Sequence, residues 1–381
     1  MRLHPDRQRK ALNHLYWVIQ NINTAASEVN TIFYNQLTAG VFRHVGGYET
    51  LCAELDLETS QEYRHVHAFQ KVAHRAKTAL LGQHISLSTQ HTSSGRANPP
   101  NHRFSWLATM QDQSLSWLAR TMLPEGSFCV SSYLQERRLA DKNMPTPMQG
   151  SAGRIAPPAL LKFFTLNWGS SPFLACQYYS LRYIANLLLR TQEHTRAMYY
   201  KHLQAQSLPI PAPTALSYYH FLDESFHSTT SQIVGQEMYK DFGKGSSYEV
   251  FVANLALLLT QKNVIRYHSG LSCGLPARCF RSDVEFMQFI YQILQSPIFE
   301  MSGMEALAWM RKSYGIEHEG FYIAQRYHRK LMKDLKTYFA RIPYLWPVNR
   351  EMQFADEWGS VAYGVQASQQ AFHQFEALLN S

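Results

Sequence analysis

The side chains best suited to chemistry in this chain are histidines and glutamates that share one face of a predicted helix. His220, Glu224 and His227 stand at positions i, i+4 and i+7, which point in one direction on an α-helix. Glu62 and His65 repeat the Glu-x-x-His part of this pattern far upstream. Carboxylate oxygens and imidazole nitrogens are donors that iron and manganese accept in proteins. The pattern therefore predicts a metal site, although a chain with 17 histidines can contain one such pair on a solvated helix face by accident.

Two isolated glutamates accompany these motifs. Glu28 is the only acidic residue in 7–48, and Glu193 is the only acidic residue in 142–222. A solvated helix face usually alternates charges of both signs, so a single carboxylate in a long acid-free run is unlike a surface position. The alternative is a glutamate that caps a helix or pairs with a nearby arginine. We interpret both glutamates as inward-facing metal ligands.

These side chains can meet only if four helices bring them to one level. Each lone glutamate precedes the glutamate of a Glu-x-x-His motif by roughly thirty residues, which fits one antiparallel helical hairpin. A proline-rich segment, 207–213, would reverse the chain between the third and fourth helices. Two Glu-x-x-His helices and two further glutamate helices build the dinuclear site of ferritin-like proteins. We therefore predict an all-α fold that contains a ferritin-like four-helix bundle, with helices over about 6–39, 60–83, 172–206 and 214–242.

The remainder of the chain is also predicted to be helical. Segment 85–158 is rich in Ser, Thr, Pro, Gly and Asn, and we interpret it as an insertion with short helices near 104–122 and 131–142. It is either an irregular surface excursion or a lid or oligomer contact. Accessory helices are expected over about 246–381, where they close a substrate pocket or form a homodimer contact. With no strand pattern, 1–381 is predicted to be a single helical domain.

The charge of the chain leaves its partners open. The net charge is +8 and the pI is near 9.1. Lys and Arg are scattered and no nucleic-acid-binding module is recognisable, so we do not expect a nucleic acid partner. A basic surface that docks an acidic electron-transfer or carrier protein explains the charge as well.

Cysteine usage and hydropathy bear on the compartment. The five cysteines are odd in number and form no Cys-x-x-Cys pair, which favours reduced thiols over disulfides or structural zinc. The amino terminus lacks the apolar core of a secretory signal. No apolar run approaches the ~20 residues of a membrane span. We therefore expect a cytoplasmic protein without a membrane segment.

The complete set of carboxylates and histidines resembles that of ferritin-like di-iron oxygenases. The third histidine, one turn before Glu224, gives His-x-x-x-Glu-x-x-His and is similar to the p-aminobenzoate N-oxygenase (AurF-type) family. The spacing from Glu193 to His220 also resembles that family. Carried over position by position, the resemblance implies these metal ligands: Glu28, Glu62, His65, Glu193, His220, Glu224 and His227.

The resemblance also implies an activity. It implies two iron ions, with manganese as an alternative, and O2 as co-substrate. The carboxylates that bridge the metals are either Glu62 and Glu224 or Glu28 and Glu193. We expect N-oxygenation of a small-molecule amine in specialised metabolism, with electrons from a ferredoxin or reductase and no catalytic residue beyond the ligands. The alternatives are a di-iron hydroxylase or desaturase for a carbon chain held by an acidic carrier protein, and a helical protein that is not an enzyme.

Overall fold

The structure is a computed structural model of the whole chain. It describes residues 6–82, 102–140, 144, 157–265, 283–313, 320–356 and 360–379. Every regular element in these ranges is helical and none is a strand, which confirms the predicted all-α class. None of these helices combines the length and apolar character needed to cross a membrane.

The described helices are numbered here in chain order. They are α1 (Asp6–Val45), α2 (Glu49–Leu81), α3 (His102–Met122), α4 (Ser132–Leu139), α5 (Pro158–Trp168), α6 (Pro172–Ala205), α7 (Ala212–Gln236), α8 (Ser247–Thr260), α9 (Asp283–Gln295), α10 (Gly303–Ser313), α11 (Gly320–Phe339), α12 (Pro347–Arg350), α13 (Gln353–Asp356) and α14 (Ser360–Leu379). A 3₁₀ helix (Met238–Phe242) follows α7, and a π-helical turn (Gln261–Ile265) follows α8.

Helices α1 and α2 form the first of two long hairpins. Gly46 and Gly47 join them with φ angles of 81° and 82°, a backbone region that glycine adopts without strain. Helix α2 begins at Glu49 rather than near residue 60 as predicted. No helix breaker stands between these positions, and the buried side chains of Cys52 and Leu55 fix this first part of α2 against α1.

Helices α6 and α7 form the second hairpin. The hydroxyl of Ser171 accepts a hydrogen bond from the Leu174 amide and caps α6, which has proline at its first position. The proline-rich link reverses the chain, and α7 then runs to Gln236. The predicted helix to residue 242 is therefore divided, because its last part is a separate 3₁₀ helix.

The end of α7 lies very close to its neighbours. A Cβ atom at Gly235 would stand 2.3 Å from the Tyr338 hydroxyl and 2.8 Å from the Ser180 hydroxyl. Ser180 Oγ donates to the Gly235 carbonyl at 3.3 Å, and Gln236 Nε2 donates to the Tyr338 carbonyl at 2.8 Å. Helices α6, α7 and α11 are thus held together at this point.

The accessory helices cover both hairpins with apolar side chains. Val18 of α1 shares a buried cluster with Ile290 of α9 and Phe372 of α14. Ile184 of α6 shares another with Leu335 of α11. Full burial of such a side chain contributes roughly 1.5–3 kcal/mol to folding. These helices therefore fix the positions of α1 and α6.

The described part of the predicted insertion is also helical. Helices α3 and α4 fall within 85–158, while 83–101, 141–143 and 145–156 lie outside the described residues. Ser131, directly before α4, donates from its hydroxyl to the Leu37 carbonyl of α1 at 2.8 Å. Helix α4 thus contacts the first hairpin directly. Of the five cysteines, the three described ones are free and buried.

Candidate metal centre

The seven candidate ligands lie on the four hairpin helices and face a common interior. All are buried, and the most exposed of them, His65, has only 8% of its surface accessible. They are Glu28 on α1, Glu62 and His65 on α2, Glu193 on α6, and His220, Glu224 and His227 on α7. The hairpins therefore bring residues from distant parts of the sequence to one place.

Two groups of potential donor atoms form in this interior, and Glu62 belongs to both. The first contains Glu28, Glu62, His65 and His220, with one atom from each within 4.8 Å of the others, and the second contains Glu62, Glu224 and His227 by the same measure. Glu62 Oε2 lies 2.9 Å from His65 Nδ1, and Glu62 Oε1 lies 3.1 Å from His227 Nδ1. The two oxygens of Glu62 thus face different histidines.

Glu193 occupies a different position from the other carboxylates. It falls in neither group of donor atoms, and its Oε1 instead lies 2.8 Å from His220 Nδ1. The opposite nitrogen of His220 faces Glu28 at 3.4 Å and Glu224 at 3.7 Å. His220 therefore stands between Glu193 and the rest of the cluster.

Among the described residues, two buried polar atoms of the cluster have no hydrogen-bond partner of good geometry. They are Glu193 Oε2 and His220 Nε2. Leaving a buried polar group unpaired costs roughly 1–3 kcal/mol, and more for a charged group. A metal ion would satisfy these atoms, and carboxylate and imidazole donors suit iron or manganese. The residues present thus fit a metal centre.

The cluster also has strongly shifted pKa values. Burial, with a contribution from the negative charge of Glu62, raises the pKa of Glu28 well above its ordinary value. Burial opposes ionisation of Glu62, but hydrogen bonds from His227 and His65 outweigh it and hold the pKa of Glu62 well below the ordinary range. Glu62 is therefore the ionised member of this pair of carboxyls.

Carboxylates of the same cluster raise the pKa values of the two histidines of α7. Burial disfavours the imidazolium form of His227, but hydrogen bonds with Glu224 and Glu62 outweigh it and raise the pKa to about 10. Burial likewise opposes charge on His220, while the charge of Glu193 and a hydrogen bond with it raise the pKa well above its ordinary value. In the metal-free chain the protonated rings of His220 and His227 carry the positive charge that a metal ion would otherwise supply. Metal binding must therefore release these protons.

Two residues at the edge of the cluster were not predicted from the sequence. Asp223 Oδ2 lies 3.1 Å from His65 Nε2, and Gln61 Oε1 lies 3.2 Å from His227 Nε2. Each directly precedes the glutamate of a Glu-x-x-His motif, and this shared position is the signal that could have indicated them.

A buried ion pair beside the cluster was also missed. Arg182 Nη1 donates to Glu58 Oε2 at 2.6 Å and to Asn35 Oδ1 at 2.9 Å. Its second amino group lies 3.8 Å from Glu62 Oε1. The Tyr179 hydroxyl donates to the same Asn35 oxygen at 2.9 Å. Glu58 stands one turn before Glu62 on α2, which indicates a shared face, but its partner on α6 has no sequence signal.

Comparison with known proteins gives one family. A family model described as "Acyl halogenase CylC-like" matches residues 4–376. Searches of curated proteins and of solved structures each give no significant match. The predicted relationship to the p-aminobenzoate N-oxygenases is therefore wrong, and so is the predicted N-oxygenation of an amine. The hydroxylase or desaturase alternative gains no better support. The error has a physical reason. A pattern of carboxylates and histidines indicates which residues could bind a metal, but it does not indicate which bond of the substrate reacts.

Proposed function

Because this chain belongs to the CylC-like acyl halogenase family, a family of enzymes, we propose that it replaces a hydrogen of an acyl chain by a halogen at the buried carboxylate and histidine cluster. The observation that carries this proposal is the convergence of two groups of buried donor atoms on Glu62. Such a cluster is a suitable place for a redox-active metal, which a halogenation of this kind requires. The proposal includes a ferritin-like arrangement of α1, α2, α6 and α7, supported by their pairing as two hairpins.

We assign two metal positions to the cluster. Glu28, His65 and His220 would hold one ion, Glu224 and His227 would hold the other, and Glu62 would bridge them. Glu193 would act through His220, whose ring it contacts. Two iron ions bound there, with manganese as an alternative, would supply the reduction of O2.

The chemistry balances only with an external reductant. One acyl C–H bond, one halide ion, one O2 molecule, two electrons and three protons give one carbon–halogen bond and two water molecules. The halide is a chloride or bromide ion, and the electrons come from a ferredoxin or a reductase. The protein contributes a buried site from which bulk water is excluded, since water would compete with the halide for the activated carbon.

The basic surface supports delivery of the acyl chain by an acidic carrier protein. Helix α11 exposes Arg326, Arg329 and Lys333 on one side. The Tyr327 hydroxyl of this helix lies 2.9 Å from the Thr195 hydroxyl, which places α11 beside the helix that bears Glu193. A cationic helix close to the site suits an acidic partner.

The test is a halogenation assay with purified protein loaded anaerobically with iron(II). Acyl chains are supplied free and as carrier-protein thioesters, with chloride or bromide, a chemical reductant and then O2. We expect an acyl product that shows the isotope pattern of the halogen in mass spectra and that requires both halide and O2.

Two variants make this assay specific. His227→Gln should remove the product, while His373→Gln should not, because His373 is exposed and pairs with Glu376 at i and i+3 on α14, outside the cluster and in the reverse order of the motif. An oxygenated product with halide present, or an unchanged acyl chain from iron-loaded protein, would refute halogenation.

A further inference from the structure

The outer nitrogens of two cluster histidines are contacted crosswise between the hairpins. His65 on α2 meets Asp223 of α7, with Nε2 and Oδ2 3.1 Å apart. His227 on α7 meets Gln61 of α2, with Nε2 and Oε1 3.2 Å apart. Each helix thus provides both a candidate ligand and the residue that orients the ligand of the other helix.

These contacts fix which ring nitrogen faces the cluster. Oxygen acceptors at Nε2 require an Nε2–H donor on both rings. The Nδ1 atoms then point inward, where His65 Nδ1 lies 2.9 Å from Glu62 Oε2 and His227 Nδ1 lies 2.9 Å from Glu224 Oε1. Both histidines are therefore oriented to bind a metal through Nδ1.

The two acceptors differ in charge although their positions correspond. Asp223 offers a carboxylate and Gln61 offers a neutral amide oxygen. A hydrogen bond to a charged acceptor is roughly twice as strong as a neutral one, and an outer carboxylate increases the donor strength of a metal-bound imidazole. Water weakens this effect because the Asp223 side chain is 40% exposed, but His65 itself is nearly buried.

We propose that Asp223 and Gln61 are positioning residues that make the two metal positions unequal, so that the position containing His65 binds its ion more tightly. This inference rests on the dinuclear centre of the proposed function. It adds that part of the difference in affinity arises outside the ligands, from one carboxylate and one amide, beside the larger number of ligands at the position containing His65.

The test exchanges the two acceptors with side chains of the same shape. Full-length wild type, Asp223→Asn, Gln61→Glu and the double variant are titrated with cobalt(II) alone, followed by calorimetry and by the visible absorption of the bound ion. In the wild type we expect two binding steps of unequal affinity. Asp223→Asn should weaken the tighter step by about 10–100-fold and leave the other step unchanged.

The reverse exchange gives the second half of the test. Gln61→Glu should strengthen the weaker step, and the double variant should narrow the difference between the two steps more than either single variant does. His65→Gln should remove the step that Asp223→Asn weakens. Asp334→Asn is the matched control, because it removes one carboxylate of similar exposure, 36%, on α11.

The outcomes separate this inference from the proposed function. Equal effects of Asp223→Asn on both steps, or the same difference between the steps in the double variant as in the wild type, would overturn the inference while two bound ions per chain still support the dinuclear centre. Binding of no cobalt, or of a single ion, to the wild type would overturn both. Melting of each metal-free variant at the wild-type temperature shows that an altered step is not a folding defect.

Discussion

The α1–α2 hairpin and the α6–α7 hairpin contribute the same types of residue to the centre but arrange them differently. In the first hairpin the lone glutamate, Glu28, belongs to a group of donor atoms with Glu62. In the second hairpin the lone glutamate, Glu193, contacts the additional histidine, His220, instead. Matching motifs on two hairpins therefore do not give two matching halves of a site.

The surroundings of the two hairpins differ as well. Glu62 Oε1 of α2 lies 3.8 Å from Arg182 Nη2, and the Arg182 side chain donates hydrogen bonds to Glu58 and Asn35. Helix α7 contains no lysine or arginine, and its Glu224 is compensated by histidine. The charge on α2 is thus balanced in part by a permanent cation, which pairs with Glu58 and lies near Glu62, whereas the charge of Glu224 on α7 is balanced by histidines, which titrate.

The largest expected effect comes from the one carboxylate that both halves share. Glu62→Gln keeps the shape of the side chain but removes a charge that both proposed metal positions would use. We expect loss of both ions and a decrease in halogenation of more than about 100-fold, beyond that of an outer residue. Elemental analysis of iron per chain checks this, with Glu224→Gln expected to lose only one ion. Two ions retained in Glu62→Gln would show that Glu62 is not the bridge.

The permanent cation should matter most for folding. Arg182→Met leaves Glu58 buried without its partner, and we expect a loss of about 3–5 kcal/mol in the free energy of unfolding. Arg43→Met is the control, because its exposed pair with Asp56 likewise joins another helix, α1, to α2 but should contribute only about 0–1 kcal/mol. Denaturant unfolding of metal-free protein measures both. Equal losses would remove the distinction between the hairpins.

The additional histidine should affect one metal position more than the other. His220 belongs to the proposed position that contains His65. We expect His220→Gln to weaken the cobalt-binding step of that position by about 100-fold, roughly 2.7 kcal/mol, and to affect the other step much less. Calorimetric titration checks this, with the exposed His373→Gln as control. If metal content and activity stay unchanged in His220→Gln, His220 is not a ligand.

A pH dependence should belong to the second hairpin, and per pH unit it should be the smallest of these effects. The pKa of His227 is raised to about 10 in the folded chain, so its contribution to stability is fully present below the unfolded value of about 6.5 and is lost as pH rises toward 10. Metal-free protein should lose at most about 1.4 kcal/mol per pH unit from this group between these limits. Denaturant unfolding at several pH values measures the slope.

Removal of the titrating group provides the control for that slope. His227→Gln should reduce the slope, leaving the part that comes from His220, and bound metal should flatten it because a metal-bound imidazole carries no proton on that nitrogen. An unchanged slope in His227→Gln would assign the effect to other groups.

The sequence selected seven residues that are all buried, and that they hold metal stays a prediction, whereas the predicted reaction was wrong. Helical periodicity and isolated carboxylates are local signals, so the amino-acid sequence is enough to select the seven clustered residues. The place of Asp223 directly before Glu224 is a local signal, but its contact with His65 and the contacts of Arg182 depend on how α2, α6 and α7 are rotated against one another, which no local pattern encodes. The start of α2 was misplaced because the Glu-x-x-His motif marks the middle of that helix rather than its beginning.

The close approach at Gly235 has a consequence for sequence variation. This residue lies about two turns beyond His227 and takes no part in binding metal, yet the first carbon of any side chain there would meet Tyr338 and Ser180. Relatives that keep this helix crossing must keep glycine at the corresponding place, whatever acyl chain they modify. An invariant glycine near the His-x-x-x-Glu-x-x-His motif would then result from the close packing of the helices rather than from a role in the reaction.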